Sequence, residues 1–290
     1  MKSGGCSPFA LVSYLGDPPF HIKFKLAIMT IKNVHLLSKS IPRSGHHYFS
    51  KLLFEIYGES FFYCEFYQPN FTECCKAEPC NRPEKIFNSD CKELVSMQKG
   101  HDFFLTDIIF QTNQFLKYLI FFRNYVDSIK SYTNLYIIEE CSEFLSRNSI
   151  SSAEILKHHD KNLFQEALKL IDIHPQYICP EKYQNFLLNG ANYHLNFIKK
   201  WGAVSCNPHY KSFVVNYEKL SNQNIEALLN SLIIFIGIEP KTNPSDALRA
   251  HPFSPKHNVK SSVSKQADTL LEKFNPLILD LQNQINIQIN

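Results

Sequence analysis

The chain has 290 residues, of which 44% are hydrophobic and 20% charged, and its 30 Lys and Arg against 27 Asp and Glu leave a net charge of +3. This length is sufficient to bury a large core, and the 9 Gly and 15 Pro exclude collagen-like and Pro/Gly-rich disordered classes. The small net charge argues against a general nucleic-acid-binding surface, so nucleic acid is not an expected partner and any polyanion site must be local.

The N-terminal region carries no convincing targeting or membrane signal. No stretch reaches the roughly 18 uninterrupted apolar residues that a transmembrane segment needs. The apolar residues 9–15 lack a basic flank and a small-residue cleavage site, which argues against a secretory signal. We therefore predict a cytoplasmic protein, with an N-terminal extension over residues 1–28 and one catalytic domain over residues 29–290. Met29 is an alternative start.

Apolar runs that alternate with helical patterns indicate the fold class. Three short runs predict buried strands: residues 34–37, 117–122 and 213–215. After the first run, apolar residues at helical spacing predict a helix, and they are Phe49, Leu52, Leu53 and Ile56. Strands that alternate with helices favour an α/β fold, which we interpret as a P-loop-like parallel sheet flanked by helices in a single domain.

Three further helices have clear start or stop signals. Ser151 and Glu154 form a capping-box pattern at the start of one helix. Pro180 opens a second, since proline is favoured in a first helical turn. The third carries the apolar residues from Ile225 to Ile236 and ends at Gly237.

The segment 42–48, Pro-Arg-Ser-Gly-His-His-Tyr, lies between a predicted strand and a predicted helix. The first N–H groups of a helix and the positive end of its dipole attract phosphate or sulfate, and Gly45 permits the tight turn. Arg43 adds a planar cation that can hold an oxyanion through two hydrogen bonds. The Walker pattern G-x-x-x-x-G-K-[ST] is absent. The alternative is an ordinary strand-to-helix turn with a surface arginine.

Two other segments place polar residues next to predicted strands. Arg123 ends the strand 117–122, and Ser131 follows eight residues later on the next helix. An arginine and a hydroxyl at this edge of an α/β sheet can hold a second phosphate. Lys99, Gly100 and His101 form the other segment, in which the histidine is either a general base or an ordinary surface histidine.

These segments resemble the 3′-phosphoadenylyl sulfate (PAPS)-dependent sulfotransferases. Residues 42–45 resemble the family's 5′-phosphosulfate loop, and residues 123–131 its 3′-phosphate motif. Residues 99–101 are similar to the K-x-H segment with the catalytic base, and residues 215–220 to a Y-E-x-L segment near the nucleotide. The four occur in the family's order, over residues 34–237, and bacterial-type members also share the Tyr-Cys-Glu-Phe-Tyr segment at residues 63–67.

The resemblance implies transfer of a sulfuryl group from PAPS to an acceptor hydroxyl, with no metal required. It implies that Arg43 stabilises charge on the leaving nucleotide and that His101 takes the acceptor's proton, with Glu65 as the alternative base. Lys99 either holds sulfuryl oxygens or is merely solvated. The residues implied to bind PAPS are Arg43, Ser44, Gly45, His46, His47, Tyr48, Arg123, Ser131 and Tyr217.

The sequence departs from the family pattern at three places. His46 and His47 replace the commoner Thr-Thr, which implies imidazole contacts to phosphate in place of hydroxyl contacts. Tyr125 stands where the 3′-phosphate motif usually has proline. Lys256 and His257 substitute only loosely for the C-terminal R-K-G segment.

Five of the nine cysteines cluster shortly before His101. They are Cys64, Cys74, Cys75, Cys80 and Cys91. Their spacing does not form the repeated C-x-x-C pairs of a zinc site, so free thiols are the default interpretation, with zinc and one or two disulfides as alternatives.

Two other functions fit the same anion loop. One is a kinase-like phosphoryl transferase, against which the missing Walker lysine argues, and the other is a nucleotide-binding protein without turnover. The acceptor pocket is expected in loops over residues 60–98 and 133–185. Family analogy suggests a glycan or another alcohol as acceptor, and the oligomeric state stays open.

Overall fold

The computed structural model describes residues 32–65, 93–102, 116–158 and 161–254, and the single positions 276, 280 and 283. All of them belong to one compact unit that spans residues 31–290. The predicted extension over residues 1–28, the alternative start at Met29 and the C-terminal pair Lys256 and His257 lie outside the described residues.

The centre of the described fold is a five-stranded parallel sheet. Its strands are β1 (Lys32–Ser40), β2 (Phe61–Glu65), β3 (Glu93–Gly100), β4 (Leu116–Phe122) and β5 (Ser212–Asn216). Their spatial order is β2-β3-β1-β4-β5. In the register, Leu36 lies opposite Met97 on β3 and Lys117 on β4. All four strand pairs are parallel, so the predicted α/β class with a parallel sheet is confirmed.

Eight α-helices are described around this sheet. They are α1 (His46–Tyr57), α2 (Tyr125–Glu140), α3 (Ser142–Arg147), α4 (Ser152–His158), α5 (Lys161–Ile173), α6 (Pro180–Cys206), α7 (Ile225–Ile236) and α8 (Pro244–Ala250). The predicted start and stop signals hold. The backbone N–H of Glu154 donates to Ser151 Oγ at 3.2 Å, and Gly237 ends α7 in the left-handed conformation. None of the helices in the described ranges is both long and apolar enough to cross a membrane.

Both faces of the sheet are covered, because alternate residues of each strand enter different cores. On β4, Tyr118, Ile120 and Phe122 pack with α2 to α6. Leu119 and Phe121 point to the other face and pack with α1, α7 and α8. Burial on both faces explains why β4 is a continuous apolar run rather than an alternating one.

Two strands, β2 and β3, were not predicted, and one region differs from its prediction. In β3, the buried positions include Ser96, Gln98 and Lys99, which interrupt any apolar run. β2 has only five residues and lies at the edge of the described sheet. Residues 133–185, expected as acceptor-pocket loops, are mostly helical, from the second half of α2 into the start of α6.

The topology brings the sequence motifs to one edge. The chain leaves β1 toward β2 on one side and leaves β4 toward β5 on the other. A crevice for ligands forms where neighbouring strands send their connections in opposite directions, outside the carboxyl ends of the strands. The loop after β1, Arg123 after β4 and His101 after β3 all lie at this edge.

Candidate functional site

The loop between β1 and α1 is a strained turn that opens a helix. Arg43 has φ 68° and Gly45 has φ 81°, both in the left-handed region. Gly45 is the residue before α1, where no side chain caps the helix and the first turn contains no acidic residue. A Cβ on Gly45 would lie 2.7 Å from a ring carbon of Tyr217, so glycine is required for space as well as for conformation. The N–H groups of the first turn therefore suit an anion.

Side chains inside and beside the loop hold it in this shape. Ser44 Oγ donates to the carbonyl of Ile41 at 2.6 Å, and Ser128 Oγ on α2 donates to the carbonyl of Pro42 at 2.7 Å. Ser44, predicted to bind phosphate, thus uses its hydroxyl within the loop. Its backbone remains the part suited to a ligand.

Arg43 joins the loop to the predicted second phosphate motif. Its Nε donates to Ser131 Oγ on α2 at 3.1 Å. Burial, with the nearby Arg123 as the second cause, lowers the pKa of Arg43 from its usual value. A partly buried guanidinium beside another cation favours a bound anion. The sequence paired Ser131 with Arg123, whereas in the structure Arg43 makes a hydrogen bond to this serine.

Arg123 is 6% exposed and contacts the loop between β1 and α1. Its Nη1 donates to the carbonyl of Arg43 at 2.6 Å, and its guanidinium carbon lies 4.8 Å from the centre of the Tyr217 ring. Glu218 lies 3.9 Å from its Nε, and the pKa of that carboxyl is raised, mainly by burial. The structure therefore brings together Arg43, Arg123 and Tyr217, as the sequence predicted. The hydrogen bond from Arg123 to the loop was not predicted.

Tyr48 and the C-terminal part of the described chain close one side of the loop. Tyr48 Oη donates to the carbonyl of His251 at 3.1 Å, and burial raises its pKa to about 12. Its ring packs edge-on against Phe253, which also contacts the ring of Tyr217. Phe253 was not predicted, since a single aromatic residue in a polar segment carries no sequence signal.

His101 follows β3 and is anchored to β1. Its Nδ1 lies 2.7 Å from the carbonyl oxygen of Ser40, which can only accept, so Nδ1 carries the proton and Nε2 is the basic nitrogen. Tyr193 Oη donates to the carbonyl of His101. Burial, followed by the charge of Lys99, lowers the pKa of His101 to about 4. This is well below the ordinary histidine value of about 6.5, and the burial that causes it is not visible in the sequence.

The side chain of Asp102 is bonded to α6. The residue has φ 52°, and its carboxylate accepts hydrogen bonds from Lys200 Nζ at 2.6 Å and from Trp201 Nε1 at 2.8 Å. These contacts, with the Tyr193 hydroxyl, tie the segment that carries His101 to α6.

Lys99, His47 and Glu65 form a charged cluster beside His101. Lys99 Nζ donates to His47 Nε2 at 2.8 Å and lies 3.6 Å from Glu65 Oε1. His47 Nδ1 lies 3.4 Å from the same carboxylate oxygen, to which Tyr63 Oη donates at 2.7 Å. Burial lowers the pKa of Lys99 to about 8, against the opposing effect of Glu65. The alternative base Glu65 therefore contacts a lysine, a histidine and a tyrosine hydroxyl.

His46 lies in the first turn of α1 and is 3% exposed. Its ring stacks on Phe121, with ring centres 4.9 Å apart. Its Nδ1 lies 3.1 Å from Ser40 Oγ, and its Nε2 has no hydrogen-bond partner among the described residues. A buried polar atom without a partner is uncommon and is often explained by a ligand.

The described site combines a turn suited to an anion with a neutral histidine and a buried lysine. Such an arrangement can hold a multiply charged phosphate or sulfate and take a proton from a neighbouring hydroxyl. Of the predicted cysteine cluster only Cys64 is described, and it is buried in β2, while Cys74, Cys75, Cys80 and Cys91 lie outside the described residues.

Comparisons with known proteins add no identification. The chain matches no model of a known protein family, and no curated protein matches it.

Proposed function

We propose that the protein is a PAPS-dependent sulfotransferase that moves a sulfuryl group from PAPS to an acceptor hydroxyl. The observation that supports this most is the junction of three segments at the carboxyl edge of the sheet. Arg43 in the anion loop is bonded to Ser131, Arg123 donates to the same loop, and His101 is anchored to the strand from which the loop leaves. Each of these residues belongs to one of the motifs that resemble the sulfotransferases.

In the proposed reaction, the loop binds the donor. The N–H groups at the start of α1 and the guanidinium of Arg43 hold the phosphosulfate, and Tyr217 lies beside the loop as a surface for the nucleotide. Ser131 and Arg123 hold the 3′-phosphate. This role requires the hydrogen bond between Arg43 and Ser131 to be shared or exchanged when the phosphate binds.

The chemical step forms a bond between the acceptor oxygen and sulfur and breaks the bond between sulfur and the bridging oxygen of the donor. The electron pair of the broken bond stays on adenosine 3′,5′-bisphosphate (PAP), next to Arg43, which stabilises the developing charge. His101 Nε2 takes the proton of the acceptor hydroxyl and later releases it to water. Lys99 contributes positive charge near the sulfuryl oxygens.

By analogy with the family, we propose a glycan or another alcohol as the acceptor. We also propose a cytoplasmic location. No metal takes part in the proposed mechanism.

Transfer of radiolabelled sulfate from PAPS to a panel of glycans and small alcohols tests the proposal. We expect transfer by the wild-type protein and its loss in Arg43→Ala. Arg147→Ala is the matched control, because Arg147 lies on the exposed surface of α3 and pairs with the exposed Glu143. Binding of ATP and phosphoryl transfer, without any use of PAPS, would instead support the kinase-like alternative. Binding of PAP without transfer to any acceptor would support the inactive nucleotide-binding protein.

A further inference from the structure

One hydroxyl, that of Ser40 at the end of β1, lies between two histidines of the site. Its Oγ is 3.1 Å from His46 Nδ1 and 3.1 Å from His101 Nδ1. The carbonyl oxygen of the same residue lies 2.7 Å from His101 Nδ1. Ser40 is fully buried, and the sequence analysis assigned it no role.

The carbonyl oxygen of Ser40 fixes the direction of the hydrogen bond from His101. A carbonyl oxygen only accepts, so His101 Nδ1 carries a proton and donates it to Ser40. The Ser40 hydroxyl can accept from the same N–H, and its own hydrogen is then available to His46 Nδ1. In this arrangement His46 Nδ1 is an acceptor, which places the proton of a neutral His46 ring on Nε2.

The result is a buried N–H group that has no acceptor among the described residues. His46 is neutral because burial, followed by the charge of Lys99, lowers its pKa well below the ordinary value. In the part of the chain that the structure describes, its Nε2 has no hydrogen-bond partner, and its ring is stacked on Phe121. A bound oxyanion at the start of α1 would supply the missing acceptor and would remove the penalty of a buried, unsatisfied donor.

We propose that Ser40 is a positioning residue that holds His46 in its Nε2–H form, as a neutral donor to an oxyanion of the bound nucleotide. The inference rests on the proposed function, because the ligand is taken to be the phosphosulfate of PAPS. The inference adds an uncharged hydrogen-bond donor to the site. It gives the two histidines different roles, with His46 as a donor to the ligand and His101 as the base toward the acceptor.

The two histidines should respond differently when the hydroxyl is removed. In Ser40→Ala, His101 keeps its hydrogen bond to the backbone carbonyl, so its basic nitrogen stays on Nε2. His46 loses its only described side-chain contact on Nδ1 and is free to place its proton there. The loss is therefore expected in nucleotide binding rather than in the chemical step.

Calorimetric titration with PAP, followed by PAPS kinetics, tests this division. Ser40→Ala should weaken PAP by about threefold to tenfold, the usual value of one hydrogen bond. KM for PAPS should rise by a similar factor, while kcat and the acid limb of the pH profile change much less. Ser38→Ala is the matched control, because Ser38 is also fully buried on β1 and donates to the carbonyl of Leu119. Equal losses in the two variants would overturn the proposal.

Changes at His46 provide the second arm of the test. Asn retains a polar atom near the position of Nδ1, and Gln retains a donor near that of Nε2. His46→Asn should weaken PAP, and Ser40→Ala should cause no further loss in that background, whereas His46→Gln should retain most of the affinity. Additive losses from Ser40→Ala and His46→Asn would show that Ser40 acts independently of His46, and would contradict the proposal.

Nitrogen-15 spectra of histidine-labelled protein measure the ring protons directly. We expect His46 as the Nε2–H form and His101 as the Nδ1–H form, with a shift of His46 when PAP is added. Inorganic sulfate is the second probe, and it should shift the same nitrogen. If sulfate shifts His46 but PAP does not bind, the proposed function fails, while the role of Ser40 in holding His46 as a neutral donor to an oxyanion stands. If His46 carries its proton on Nδ1, the inference fails whatever PAP does.

Discussion

Substitution of Gly45 by alanine perturbs the loop in two separable ways. Gly45 has φ 81°, where a non-glycine residue is disfavoured by about 1–2 kcal/mol. In addition, the new Cβ would lie 2.7 and 2.8 Å from two ring carbons of Tyr217. That ring is itself packed against Arg123 and Phe253, so it cannot move without disturbing them. Overpacking of this kind costs about 1–3 kcal/mol, which gives a total loss of about 2–5 kcal/mol in the free energy of unfolding.

Gly237→Ala is a matched control for the conformational part alone. Gly237 has φ 70° at the end of α7, and a Cβ there would make only ordinary contacts, the nearest at 3.7 Å. We expect it to lose about 1–2 kcal/mol and to bind PAP normally. Urea denaturation and PAP titration of both variants measure the difference. If Gly45→Ala loses no more stability than Gly237→Ala, or binds PAP as well as the wild type, the reasoning about the loop is refuted.

Three other predictions concern the side chains around the loop. Arg123→Ala should lower the affinity for both PAP and adenosine 5′-phosphosulfate because the loop loses a supporting contact, and it should lower the affinity for PAP by a further factor of about ten to a hundred. Equal losses for the two ligands in titrations would restrict Arg123 to supporting the loop. His101→Ala should lower kcat by about 10²–10⁴ and leave PAP affinity unchanged. In the wild type, kcat/KM should fall only as the pH drops toward about 4, because protonation removes the base, and an acid limb near 6.5 would contradict the buried position of His101. Asp102→Asn should lower the free energy of unfolding, measured by urea denaturation, by about 2–4 kcal/mol, since it removes the carboxylate that pairs with Lys200. A loss no larger than that of Glu143→Gln, which breaks an exposed ion pair, would contradict this.

The sequence predicted those features that depend on local pattern. β1, β4 and β5 were found because they are apolar runs, and the helix starts at Ser151 and Pro180 were found because they carry their own signals. The anion loop was found because strand, glycine turn and helix are consecutive in the chain. His101 was found only because its neighbours Lys99 and Gly100 complete a family-like motif.

The features that the sequence did not predict depend on contacts between distant segments. β3 was missed because its buried positions include polar residues: Lys99 bonds to His47 in the site, and Gln98 bonds to His35. The low pKa of His101 comes from burial that only the folded chain creates. The hydrogen bond between Arg43 and Ser131 joins residues 88 positions apart, and nothing in either motif distinguishes it from a bond between Arg123 and Ser131.

Calorimetric titration with PAP and with AMP is the most direct test of the proposed donor. The two ligands share the adenosine and the 5′-phosphate and differ only in the 3′-phosphate. We predict that PAP binds about tenfold to a hundredfold more tightly than AMP, as one charge-assisted contact implies, and that Ser131→Ala removes part of this difference. Equal affinity for PAP and AMP, or tight binding of ATP with none of PAP, would contradict the assignment of this site to PAPS.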